Sequence, residues 1–158
     1  MTGTIRPWQS RVLMRIVHVY FAVARGMTMG VRAACFDSAG RVFLVRHSYV
    51  PGWHMPGGGL ERNETAEEAL IKELREEGNL RILGRPQLFH VYFNKAASRR
   101  DHVLFYKTQV EQTAPRPPDR EIVECGFFAI DDLPADTTEA TRRRLAELAG
   151  ERELAHMW

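Results

Sequence analysis

The sequence predicts an α/β domain in which helices pack against a mixed sheet. Three observations predict it. Segments with strand-like alternation and segments with helical periodicity follow one another without a regular βαβ repeat. The chain has 158 residues, the size of one domain with a sizeable core. Hydrophobic residues make up 44% and charged residues 27%, an ordinary globular composition.

The elements can be justified in order. An amphipathic helix is expected over residues 8–24, within an extension spanning 1–26, with the domain proper at 27–150 and a tail at 151–158. Arg6, Arg11 and Arg15 precede an apolar run at 16–24, and "AVA" at 22–24 has the look of a signal-cleavage site. That run contains His18 and falls far short of the roughly 18–20 residues of a membrane span, so it reads as a helix packed on the domain or on a second copy. "TMGVRAACFD" (28–37) and "RVFLVRH" (41–47) read as two strands joined at "DSAG", a hairpin. "SYVPGWHMPGGG" is a loop, and a helix follows at about 65–77. "PQLFHVYFN" (86–94) and "DHVLFYKTQV" (101–110) read as paired strands around the basic loop "KAASRR". "TAPRPPD" (113–119) is a proline-rich surface loop and "EIVECGFFAI" (121–130) a further strand. "TTEATRRRLAELAG" closes the domain as a helix with its own capping residues.

Composition excludes some functions. A formal net charge of +2 is too small to argue for nucleic acid or an anionic membrane, so neither is an expected partner. Cys35 and Cys125 are far apart and fit no metal spacing. They read as small core residues in a reducing, cytoplasmic setting.

The helix after the glycines is the informative segment. Thr65 followed by Glu68 forms a capping-box pattern. Gly78 and Asn79, types that tolerate left-handed backbone, mark its end. At about 100° per residue, Ala66, Ala69, Leu70 and Leu74 form the inward stripe. Glu73, Glu76 and Glu77 are spaced i, i+3, i+4 and overlap that stripe, while Glu68, Lys72 and Arg75 lie opposite. An acidic surface helix would turn its glutamates outward. Carboxylates aimed inward, with no cation on their own helix to relieve them, repel one another and suit a hard cation such as Mg²⁺ or Mn²⁺. Gly57, Gly58 and Gly59 just before the helix permit close approach of backbone to a ligand.

At these residues the sequence resembles the Nudix hydrolases, whose motif is Gly, five residues, Glu, seven residues, then Arg-Glu-apolar-x-Glu-Glu-x-Gly-apolar. Gly58, Glu64, Glu73, Leu74, Glu76, Glu77 and Leu80 fall in register, so the motif covers 58–80. "FFAIDDLP" is similar to the family's aromatic-acidic-Leu-Pro ending. Lys72 stands where the family has Arg, keeping the charge but losing the planar fork. Asn79 stands where it has Gly, and Asn can adopt the same backbone.

The resemblance implies an α/β/α sandwich of the MutT-like kind. It also implies hydrolysis of a nucleoside diphosphate linked to another group, with water attacking phosphorus and divalent cations neutralising charge. By carry-over, Glu73 and Glu77 would be metal ligands and Glu76 a ligand or the base that orients water. The backbone carbonyl of Gly57 would complete the metal shell, and Gly58 would border the substrate. A further acidic ligand late in the chain is expected at Glu121, with Glu124 the runner-up. Apart from the resemblance, Arg46 at a strand end is placed to meet a phosphate, and Trp53 either stacks on a base or packs in the loop under the helix. The basic loop with Lys95, Arg99, Arg100 and His102 reads as a solvated turn.

Sub-family signs are negative. Pro86 lies too close to the motif for an ADP-ribose hydrolase, Tyr92 is out of place for a dinucleoside-polyphosphate hydrolase, and the coenzyme A pattern is absent. The partner expected is therefore a small nucleotide-type molecule, and the N-terminal helix is compatible with a homodimer. A non-catalytic Nudix-like module that binds nucleotide or RNA, and a structural protein with an acidic docking helix, are the competing readings. Cation dependence separates the last from the other two.

Overall fold

The computed structural model describes residues 14–20 and 26–158. Residues 14–20 are helical, with Ile16 and Val19 exposed. The rest of the helix expected over 8–24, with Arg6, Arg11 and the "AVA" at 22–24, lies outside the described residues.

The domain is built from β1 (Thr28–Phe36), β2 (Val42–His47), β3 (Trp53–His54), α1 (Ala66–Gly78), β4 (Leu80–Phe93), β5 (Asp101–Gln112), β6 (Ile122–Phe128) and α2 (Glu139–Leu148). The sheet is mixed, as expected. β1 runs parallel to β5 from Thr28↔Asp101 to Phe36↔Gln109, and β4 runs antiparallel to β5. β2 carries β6 along Val42–His47 and β3 at Val45↔His54 and Arg46↔Trp53.

The expected 28–47 hairpin is a turn without a ladder, since β1 and β2 pair only at Phe36↔Val42. The reason is competition for an edge. The free side of β1 is taken by the glycine loop: Val31 N–H donates to Gly58 O at 2.8 Å, Ala33 N–H to Pro56 O at 3.1 Å, and Leu60 N–H to Met29 O at 2.9 Å. β4 also begins earlier than expected, at Leu80. Its pairing with β5 is broken by register shifts near Leu83/Gln87 and Leu88/His90, which hide the alternation a strand would show.

Strand alternation divides the core in two. Val31, Ala33, Cys35, Phe43 and Val45 face α1, where they meet Ala69, Leu70 and Leu74. Ala34, Val42 and Leu44 face the other way, towards Leu145 of α2, Tyr92 and Phe105. A helix on each face makes the α/β/α sandwich. Both cysteines are free, with Cys35 fully buried.

The caps of α1 match their sequence signals. Thr65 accepts from the Glu68 N–H while the Glu68 carboxylate accepts from the Thr65 N–H, both halves of a capping box. Only Asn79 takes the left-handed turn, at φ 51°. Gly78 stays helical and serves packing instead, because a Cβ there would lie 2.7 Å from the Phe43 ring.

The 151–158 tail does not trail away. Phe93 N–H donates to His156 O at 2.9 Å and Trp158 N–H to Phe93 O at 3.1 Å, adding a short strand-like piece to the edge of β4.

Candidate active site

The glycine loop and α1 are locked together. Lys72 Nζ lies 3.1 Å from a Glu61 oxygen and 3.0 Å from a Glu64 oxygen, so the lysine and first glutamate of the motif clamp the loop to the helix. Lys72 makes no ion pair with Glu73, yet, against expectation, its charge reaches that carboxylate. Gly57 has φ 141°, and a Cβ there would collide with the Val31 carbonyl, so glycine is required at this point. Its N–H donates to Glu77 Oε2 at 2.7 Å. A Cβ on Gly58 would collide with the Glu73 carboxylate. The glycines thus let the backbone run directly beneath two acids.

The three glutamates differ in environment. Glu77 is buried, and burial pushes its carboxyl up to about 7. Arg32 and the Gly57 N–H act against that rise, while Glu73 and Glu121 add to it. Glu73 is half-buried and also held above the usual carboxylate range, first by burial and then by Glu76 and Glu121 against the pull of Lys72 and Arg32. Among the described residues the Glu73 carboxylate has no hydrogen-bond or ion-pair partner. Glu76, contrary to expectation, is exposed and has a cation of its own helix within reach, Arg75 at 3.5 Å, because its side chain turns out to solvent beside its neighbour.

Among the described residues no three acidic, histidine or cysteine side chains gather closely enough to hold an ion. The carboxylates that share a helix face therefore do not converge on one point. Mutual repulsion explains the spread, with Glu77 turned onto the Gly57 N–H.

Two partners of these acids had no sequence signal beyond residue type. Arg32, on β1, donates from Nη1 to Met55 O at 2.8 Å and is the cation whose field reaches Glu73, Glu77 and His47. It lies outside the motif, and only its charge marks it. His47 lies 3.6 Å from Glu77. This contact is not an ion pair at neutral pH, because burial, then Arg32 and His54, push the imidazole down to about 4.

Glu121 and Glu124 separate cleanly. Glu121 is in electrostatic reach of Glu73 and Glu77, and its Oε1 is 3.4 Å from the Tyr49 hydroxyl. It is presented by a pinned loop. Arg116 donates to Glu76 O at 3.0 Å and pairs with Asp119 at 2.7 Å, and Asp119 accepts from the N–H groups of Glu121 and Ile122, both at 2.8 Å. The 113–119 surface loop is therefore a strut between the end of α1 and Glu121. Glu124 instead pairs with Arg46 at 2.6 Å.

Two expected substrate residues lie elsewhere. β2 alternation sends His47 towards Glu77 and Arg46 to the opposite face. There the Arg46 guanidinium sits 5.8 Å from the Trp53 ring centre and is held by Glu124. Trp53 is only 5% exposed and packs edge-on against Phe128 at 4.8 Å. Its ring is core, and its strand pairing with β2 fixes it there, so it offers no face to a base.

The donor chemistry suits a hard divalent cation. Pro56 O and Gly58 O are consumed by β1, while the Gly57 carbonyl between them accepts no hydrogen bond among the described residues. A free carbonyl, a partnerless carboxylate and a buried carboxylate held near neutrality form an oxygen-only set with negative charge to spare.

A mixed sheet between helices, with a glycine loop set against a glutamate helix, defines a class of protein, and the comparisons agree. The NUDIX domain model matches residues 26–148. The chain belongs to the Nudix hydrolase family and has its MutT-like fold. It resembles the crystal structure of a MutT NUDIX hydrolase from Burkholderia pseudomallei, at 28% identity and TM-score 0.65, covering 77% of this chain and 97% of that one. An ADP-ribose pyrophosphatase from Streptococcus suis shares the fold, at 22% identity and TM-score 0.62, covering 81% of this chain and 94% of that one. In sequence, the chain is 31% identical to an RNA pyrophosphohydrolase of Hydrogenovibrio crunogenus over 44% of its length and 45% of that protein. The chain spans less than half the length of the curated relatives it matches. No helix among the described residues is long and apolar enough to cross a membrane.

Proposed function

We propose that the protein is a metal-dependent pyrophosphohydrolase that cleaves a small nucleoside diphosphate derivative by water attack on phosphorus. The observation that carries this reading is the Glu73 carboxylate, half-buried, without a partner among the described residues and hard against Gly58, beside a buried Glu77 whose carboxyl is pushed up to about 7. Such a pair is unfavourable until a cation arrives.

In this reading Glu73, Glu77 and the Gly57 carbonyl hold Mg²⁺ or Mn²⁺, with Glu121 as the further acidic ligand. The ion supplies neutralisation of the diphosphate as phosphorus is attacked. Glu76, the exposed member, orients the water or joins the ligand set. Arg32 fixes the electrostatic balance between Glu73 and Glu77, and Gly58 lets the substrate approach the helix. Trp53 and Arg46 have no part in it.

The test is phosphate release across nucleoside triphosphates, oxidised nucleotides, nucleotide sugars and dinucleoside polyphosphates, with Mg²⁺ and with Mn²⁺. Turnover by the parent, lost in Glu76→Gln and Glu77→Gln while the circular dichroism spectrum is kept, is the expected result. Full activity in Glu77→Gln would remove the assignment.

A further inference from the structure

On the α2 side of the sheet, next to the glutamates, lies a cavity of about 520 Å³. That is a usual size for a small-molecule site. Its floor is Gly30 of β1, and its walls include Arg32, Gly58, Asn94, Asp101 and Trp158. Gly58 lies against the Glu73 carboxylate and Arg32 acts on Glu73 and Glu77, so the cavity opens where the reacting end of a substrate would lie.

Trp158 is there because a buried clamp puts it there. The side chains of Arg144 and Glu147 are fully buried and 2.7 Å apart. Arg144 donates to Met157 O at 2.8 Å, Glu147 accepts from Ala155 N–H at 3.1 Å, and Arg143 reaches Trp158 O at 3.2 Å. The Trp158 ring then rests 5.5 Å from Tyr92 and 5.7 Å from Phe105. Burying an arginine–glutamate pair is expensive, and stability alone rarely requires one. Here the pair holds a short segment in a single position.

The polar wall has a definite sign. Asp101 accepts from the Thr28 hydroxyl at 2.7 Å and from the Asn94 amide nitrogen at 2.8 Å. Donation to a carboxylate fixes the Asn94 amide nitrogen inward. Its oxygen, with no partner among the described residues, and the spare lone pairs of Asp101 then remain as acceptors.

We infer that this cavity is a nucleobase pocket in which Trp158 supplies the stacking surface and Asn94 and Asp101 accept hydrogen bonds from N–H groups on the base edge. The inference rests on the nucleotide reading above and narrows it to bases rich in donors. A guanine-type edge, with a ring N–H beside an amino group, fits better than uracil. Trp158 is a binding residue, and Arg144 and Glu147 are positioning residues.

The experiment is calorimetric titration of the metal-free full chain with GMP, AMP, CMP, UMP and ribose 5-phosphate, which needs no turnover. GMP should bind most tightly. Trp158→Leu keeps an apolar contact with Tyr92 and Phe105 but removes the stacking face, and should weaken GMP by about tenfold or more. It should leave ribose 5-phosphate unchanged, and Trp158→Phe should recover most of the loss. Asp101→Asn should narrow the preference for GMP over UMP. GMP affinity equal to the parent in Trp158→Leu, an equal loss for ribose 5-phosphate, or no binding of any nucleotide by the parent would overturn the inference. Turnover of triphosphates that ignores Trp158 overturns the pocket alone. Tight GMP binding without turnover of any substrate leaves the pocket standing and removes the hydrolase reading.

Discussion

Two buried glutamates sit on opposite faces of the same sheet, and they could hardly be treated more differently. Glu147 accepts from Arg144 at 2.7 Å, from the Tyr92 hydroxyl at 2.6 Å and from Ala155 N–H at 3.1 Å. Glu77 accepts from Gly57 N–H at 2.7 Å and otherwise meets a neutral histidine at 3.6 Å. Burial is nearly equal, so burial is not the distinction. The difference is whether the chain itself supplies the compensating charge. Where it does, the glutamate holds structure together. Where it does not, the fold carries a cost that a ligand can relieve.

Breaking the satisfied cluster should have the largest effect. Arg144→Met leaves Glu147 buried without its cation and should cost about 3–5 kcal/mol in urea unfolding. A cost below about 1 kcal/mol would mean that water reaches Glu147.

The open cluster should behave in the opposite sense. The Glu77 carboxyl keeps its proton to about pH 7 in the folded chain, against 4.5 as its ordinary value. Its favourable contribution is therefore complete below about pH 4.5 and lost as pH rises through 7. His47, pushed down to about 4, titrates in the opposing sense over part of that range. The clean observable is therefore a difference. In EDTA, Glu77→Gln should gain stability over the parent from pH 5 to pH 8, by on the order of 3 kcal/mol in full. Mg²⁺ should raise the parent's melting temperature at pH 8 and leave the variant's nearly unchanged.

The smallest stability effect is expected at Gly58→Ala. The new methyl meets the flexible end of Glu73, which can swing away, so unfolding should shift by less than about 1 kcal/mol. Mg²⁺ stabilisation should nevertheless fall, because the displaced carboxylate is one of the proposed ligands.

What was legible in the sequence tracks the range of the interactions. The α1 caps and the inward aim of Glu73 and Glu77 are local, and period and residue type reveal them, although the same period also placed Glu76 inward and it is exposed. The edge competition that denies β1 a hairpin partner is not local, because it depends on where residues 56–60 return. The same limit hid Arg32, which reaches the glutamates only because the glycine loop lies on β1. It also hid the surroundings of two expected substrate residues, since Trp53 is buried against Phe128 of β6 and Arg46, partly exposed, is held by Glu124 of the same strand. The 154–158 segment was opaque for a related reason. Its order comes from Arg143, Arg144 and Glu147 of the closing helix, and nothing in their spacing points to the residues they hold.

The docking of residues 156–158 on Phe93 also bears on how the molecule behaves in a crowd. β4 is an edge strand among the described residues, and a long regular edge is a template that neighbouring chains can copy. Here the far end is already occupied by the chain's own backbone, and two register shifts interrupt the stretch before it. Little uninterrupted ladder remains for a stranger's strand to extend, so the edge is blunted against pairing with another chain.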